Sequence, residues 1–170
     1  MINWLQKNRE DLSYFDDYQN CIGDLLQNEK VRLLQNYVQH GNATRLEHCL
    51  FVSYKSYLIC KKLGYDYRSA ARGGLLHDFY LYDRRVEKPY KGFHGLVHPQ
   101  IALENATKHF DLNEKEKDII YKHMWPLTMR FPKYKETFIV SCVDKYCASV
   151  EFVNLRFLNH SYLLREIADL

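Results

Sequence analysis

The sequence predicts an all-α fold, a compact orthogonal bundle of about seven or eight helices. Apolar residues recur at three- and four-residue steps along nearly the whole chain, the spacing that places them on one side of a helix. Four prolines and seven glycines leave little material for the many turns of an all-β fold. Capping residues stand where the periodic stretches break. At 170 residues the chain is read as one domain, 1–170, long enough to bury most of its apolar surface. Its core is expected over about 40–150, with N- and C-terminal helices packing on it.

Taken in order, residues 3–19 carry Trp4, Leu5, Leu12, Phe15 and Tyr18 on a loose helical stripe. A second helix is expected over 28–38, from Val31, Leu34 and Val38. His40-Gly41-Asn42 punctuates the chain. Thr44 caps a long helix running to about Leu63, and Gly64 ends it, because glycine tolerates the left-handed conformation of a C-terminal cap. Asp66 is an N-cap for the helix through SAARGGLLHD. From Phe79 to Leu96 the sequence is aromatic, charged and irregular, with Pro89, Gly92 and Gly95, and reads as a long loop. A loop of that length points to function. Pro99 fits the first turn of a helix, placing His98 at or near its cap and carrying it to Phe110. Asn113 and Glu116 form a capping-box pattern for a helix ending around His123, stopped by Trp125-Pro126. Further helices are expected over 135–151 and 159–169.

Composition narrows the function. Hydrophobic residues make up 46% and charged residues 26%, as in a soluble globular chain. A net charge of +3 suits an anionic small molecule. The basic residues are scattered rather than striped, so no nucleic-acid partner is expected. No apolar run approaches the ~18 residues of a membrane span, so no membrane partner is expected either. The N-terminal MINWLQKNREDL turns charged within nine residues, unlike a signal peptide. Five cysteines without a CxxC pair fit a reduced, cytoplasmic protein in which they serve as small core residues.

Against this background one set of residues stands out. His48 in RLEHC, His77-Asp78 in LLHDF, His98 in GLVHP, His123 in YKHMW and Asp144 in VDKYC each lie near a place where the pattern turns. Asp144 is the most telling, because FIVSCVDKYCASV is so apolar that a carboxylate there must be paired, hydrogen-bonded or coordinated. Imidazole and carboxylate ligands suit divalent first-row metals. Taken singly, each residue is better explained as a satisfied buried histidine or a helix cap. The spacing alone does not require a metal.

The ordered set His48, His77-Asp78, His98, His123, Asp144 resembles the HD superfamily of metal-dependent phosphohydrolases, in the subset with two further histidines between the HD pair and the last aspartate. The resemblance covers about residues 40–150, with GLLHDF, HPQIALENA and VDKYCA in the corresponding local contexts. It implies an HD-domain-like helical fold and two divalent ions (Fe, Mn, Co, Ni, Zn or Mg). His48, His77, Asp78 and Asp144 would bind the first ion, and His98 and His123 the second, with Asp78 bridging. It further implies an enzyme that hydrolyses a phosphomonoester or phosphodiester of a small phosphorylated substrate, nucleotides included, by a metal-bound hydroxide. Some relatives with this ligand set instead hold two irons and oxidise carbon with O₂, and a non-catalytic nucleotide-sensing module is a further alternative. Many relatives follow the HD pair with glycine and lysine, whereas here Phe79-Tyr80-Leu81-Tyr82-Asp83 follows. The GYP signature of cyclic-dinucleotide phosphodiesterases is absent.

Second-tier candidates surround this set. Arg45, three residues before His48, could grip a substrate phosphate, or pair with Glu47 or another acid. Lys145 could reach substrate from the position after Asp144 and assist catalysis. His94 is read as a loop residue facing the site, a proton donor or phosphate contact, because Pro99 argues against a helix shared with His98. His40 in the QHGN turn is a substrate contact or a turn hydrogen bond. Arg72 is expected in a structural or solvated role, and His109 and His160 in solvent. Tyr80, Tyr82, Tyr90 and Phe93 could stack on a ring of the substrate or pack on the helical core.

Overall fold

The computed structural model describes residues 2–39 and 43–152, so His40, His160 and the helix expected over 159–169 lie outside the described residues. The described residues are helical, in seven α-helices without a strand. α1 spans Ile2–Leu26, α2 Glu29–Arg32, α3 Arg45–Lys62, α4 Tyr67–Leu76, α5 His94–His109, α6 Glu114–Lys122 and α7 Lys135–Phe152.

Local chemistry accounts for most boundaries. Thr44 and Glu47 close a capping box on α3, with Thr44 N–H donating to Glu47 Oε2 at 2.8 Å and Glu47 N–H to Thr44 Oγ1 at 3.2 Å. Gly64 follows α3 at φ +70°, a conformation that disfavours any side chain with a Cβ. Asp66 accepts from Ser69 N–H at 3.0 Å to start α4. Asn113 and Glu116 exchange bonds of 2.9 and 3.0 Å to start α6. Each such cap is worth about 1 kcal/mol.

Beyond α1, which carries the helical stripe of 3–19 on to Leu26, two boundaries differ from expectation. The helix expected over 28–38 is split into α2 and a 3-10 turn, Leu33–Asn36. Val38 instead forms an isolated antiparallel bridge with Thr44, which draws the backbone into an extended conformation from Tyr37 onward. The second correction concerns α5, which begins at His94 rather than His98 and holds Pro99 inside it. Pro99 removes only one helical hydrogen bond, the one to Gly95, and the segment before it is fixed by tertiary contacts of Gly95 and His94. His94 is therefore a helix residue, one turn from His98, with the two rings stacked at 4.8 Å.

Two apolar clusters meet around α3 and α4. One joins Tyr18, Ile22 and Leu25 of α1 to Leu50, Tyr57, Leu75 and Leu76. The other joins Val52 and Ala70 to Ile119, Val140 and Cys147 of α6 and α7. Gly74 permits the α3–α4 contact, because a Cβ there would lie 2.9 Å from Ser53 Cα. Arg72 is structural: it donates to Glu116 Oε1 at 2.8 Å and to Asp24 Oδ1 at 2.6 Å, tying α4 to α6 and α1. Cys21, Cys49, Cys60 and Cys147 are buried and free, and Cys142 is exposed. No helix among the described residues is long and apolar enough to cross a membrane.

Candidate metal centre

Five helices deliver the histidines and aspartates to one place. His48 lies in the first turns of α3, His98 in the second turn of α5 and Asp144 midway along α7. His77 and His123 are the C-caps of α4 and α6, and Asp78 directly follows His77. A helix C-terminus carries partial negative charge, so both caps present their rings where a cation is favoured. All six residues are buried. Their ligand atoms form three overlapping triads, His48-His77-Asp78, His77-His123-Asp144 and Asp78-His98-His123, each with atoms within 4.8 Å of one another.

The ring orientations suit metal ligation. His77 Nδ1 lies 2.7 Å from Gly74 O, His98 Nδ1 3.0 Å from His94 O and His123 Nδ1 2.9 Å from Ile120 O. A carbonyl can only accept, so each Nδ1 carries a proton and each Nε2 faces inward, where it can coordinate a cation once it carries no proton of its own. His98 Nε2 and His123 Nε2 stand 2.8 Å apart. Two ligand nitrogens about 2.1 Å from a shared ion and a right angle apart would be about 3 Å from each other. Asp78 Oδ1 lies 3.0 Å from His98 Nε2 and 3.7 Å from His123 Nε2, and Asp144 Oδ1 lies 3.2 Å from His48 Nε2 and 3.5 Å from His77 Nε2. His77 Nε2 and Asp78 Oδ1 are buried without a hydrogen-bond partner among the described residues. Burying such atoms unpaired is costly, and a coordinated cation removes that cost. These buried histidines and aspartates could hold metal ions.

Electrostatics point the same way. Burial opposes ionisation of Asp78 and Asp144, but the neighbouring imidazoles outweigh it and hold both carboxyls well below the usual range. Burial likewise opposes charge on His77, yet Asp78 and the other acidic neighbours raise it well above its ordinary value. His123 is pushed down to about 3 by burial and by His77 and His98, which keeps its lone pair available. The centre thus favours positive charge placed between its carboxylates.

Behind Asp78 lies a network that the sequence did not reveal. The Gln39 amide donates to Asp78 Oδ2. Its Oε1 accepts from Arg45 Nε at 3.0 Å and from the Tyr80 hydroxyl at 3.2 Å, which fixes which end of the amide faces the carboxylate. Burial raises the Tyr80 phenol above its ordinary value, so it remains a donor. Arg45 is fully buried, donates to Tyr80 O at 2.6 Å and Tyr82 O at 3.2 Å, and packs over the Tyr80 ring at 3.6 Å. No pairing of Arg45 with Glu47 is found, since Glu47 serves the Thr44 cap. The bridge at Val38 and Thr44 positions Gln39, whose N–H donates to Ala43 O at 2.8 Å. The only sequence signal for Gln39 was its place beside His40.

A cleft of about 470 Å³ opens over Asp78, His98, His123 and Asp144. His94 and Lys145 line it from α5 and α7. Burial, then the nearby His98, lowers His94 to about 4. Burial also lowers Lys145, whose ammonium donates to His123 O at 2.8 Å, Ser141 Oγ at 3.0 Å and Ser141 O at 3.2 Å. Arg84, Lys88, Met124 and Leu127 also line the cleft, and nothing in their spacing had marked them. Of the candidate stacking aromatics, Tyr90 and Phe93 face the cleft, whereas Tyr80 and Tyr82 are buried in packing. Comparison with family models, curated proteins and solved structures gives no match.

Proposed function

We propose that this protein is a cytoplasmic, metal-dependent phosphohydrolase of the HD type, acting on a small phosphorylated molecule such as a nucleotide. The observation that carries this reading is the pair of buried atoms without a hydrogen bond, His77 Nε2 and Asp78 Oδ1, which face other donors of the six-residue cluster at 3.0–3.7 Å on the floor of a cleft. His48, His77, Asp78 and Asp144 would hold one divalent ion and Asp78, His98 and His123 a second. Such ions, when bound, lower the pKa of a water and offset phosphate charge. The chain's own groups do the rest. Gln39 holds Asp78 in one orientation, so the carboxylate keeps Oδ1 toward the donor cluster. Lys145, its ammonium donors held by His123 O and Ser141, would add charge beside Asp144 rather than a direct bond to a phosphate, and His94 offers an imidazole to the ester from α5. A metal that only stapled the core would not need six donors.

Assays against nucleotide and sugar-phosphate panels, with Mn, Co, Ni, Fe, Zn or Mg supplied, test the reading. Turnover is expected with at least one ion, and Asp144→Asn should lower both metal content and turnover by about 100-fold. Full metal loading without hydrolysis of any ester would overturn it. Substrate-dependent O₂ uptake by an iron-loaded protein with a mixed-valent electron-paramagnetic signal would replace it with an oxygenase.

A further inference from the structure

Residues 84–93 bring both charge and apolar surface to the cleft through Arg84, Lys88, Tyr90 and Phe93. The charges of this segment divide in a telling way. Asp83 is occupied by Arg85, with Nη2–Oδ2 at 2.8 Å and Nε–Oδ1 at 3.1 Å, and leaves Arg84 unneutralised. Arg84 donates through Nη2 to the Gln39 carbonyl at 2.7 Å, and its other nitrogens have no partner among the described residues. Lys88 has no carboxylate partner there either. Among the described residues, the acids lining the cleft are Asp78 and Asp144, both within the donor cluster. Lys145, by contrast, has its donors engaged. Two cations with donors unspent among the described residues, one of them anchored by a single Nη2 bond, line the same cleft and favour an anion there.

The apolar surface lies beside them. A Cβ at Gly95 would stand 2.9 Å from Phe93 Cε1 and 3.1 Å from Leu127 Cδ2, so the missing side chain lets these two residues close over it. Both are otherwise open to solvent, at 64% and 50% exposure.

We propose that the cleft takes a phosphate ester bearing a second anionic group. The first phosphate lies over the histidine–aspartate cluster, the second anion is held by Arg84 and Lys88, and an apolar or ring-shaped body packs on Phe93 and Leu127. The fate of the first phosphate rests on the phosphohydrolase reading; binding of the second does not need turnover.

Calorimetry on the intact chain with adenosine 5′-monophosphate and adenosine 3′,5′-bisphosphate, after EDTA treatment and again with Mn, tests this. The bisphosphate should bind about tenfold more tightly, and Arg84→Gln combined with Lys88→Gln should remove the difference. Lys88 is exposed, so Lys88→Gln alone keeps the fold and should already narrow it. Equal affinities in the wild type, or a gap untouched by Lys88→Gln and by the folded double variant, would overturn the proposal. Phe93→Ala should weaken both nucleotides alike; if it weakens neither, the apolar half is wrong. Preference for the bisphosphate without hydrolysis of any ester would leave this subsite standing and remove the phosphohydrolase reading. Hydrolysis of monoesters without that preference would do the reverse.

Discussion

Gln39 illustrates how much a single side chain can decide. Its amide oxygen is claimed by two donors, Arg45 and Tyr80, so its nitrogen must face Asp78. One carboxylate oxygen is thereby occupied and the other is left for a cation. Gln39→Leu removes this bond without adding charge, and should weaken Mn or Co binding by about 10- to 100-fold in calorimetric titrations while circular dichroism stays helical. Unchanged affinity would show that Asp78 is oriented by its other neighbours alone. His77, His98 and His123 follow the same logic, since each is held through Nδ1 by a carbonyl three or four residues earlier in its own chain segment. Their identity as candidates was legible in the sequence. The support from Gln39 was not, because its partners Arg45, Asp78 and Tyr80 lie up to 41 residues away.

At the scale of elements, the contact between α3 and α4 sets the position of the HD pair. Gly74 stands three residues before His77, and its lack of a Cβ lets α4 approach the backbone of α3 at Ser53. Gly74→Ala gains helix propensity of up to about 1 kcal/mol. That gain is outweighed, because Ser53 Cα at 2.9 Å is backbone and cannot rotate away. A net loss of about 1–3 kcal/mol is expected, read as a lower urea midpoint. Gly23→Ala on α1 is the control: nothing lies within 4 Å of its added Cβ, so it should stabilise by up to about 1 kcal/mol. A Gly74→Ala midpoint equal to or above the wild type would mean that α4 can shift without penalty. The caps of α3, α4 and α6 were readable from Thr44, Asp66 and Asn113 because capping is local chemistry. The start of α5 was not, because packing around Gly95 and His94 overrode the local preference of Pro99.

Across the whole molecule, the donor cluster joins α3, α4, α5, α6 and α7, whereas the apolar clusters alone leave Asp78 Oδ1 and His77 Nε2 unsatisfied. Ions bound there would act as a cross-link between helices distant in sequence. Binding to the folded state alone at 100-fold excess over Kd contributes about 2.7 kcal/mol, or roughly 5–10 °C in Tm for a chain of this size. Thermal melts with added Mn or Co and with EDTA should differ by that amount, and the difference should vanish in Asp78→Ala. Identical melts would argue that the cluster does not hold metal.

The sequence by itself determined the helical class, the caps of three helices and the six residues of the cluster. These rest on short-range chemistry and on an ordered pattern of residue types. Only the tertiary structure decided that Arg45 lies behind Asp78, that Tyr80 packs inward while Tyr90 faces the cleft, and that Arg84 and Lys88 line it. Such facts depend on which side chains meet across helices, and contacts between residues dozens of positions apart leave no local periodicity to read.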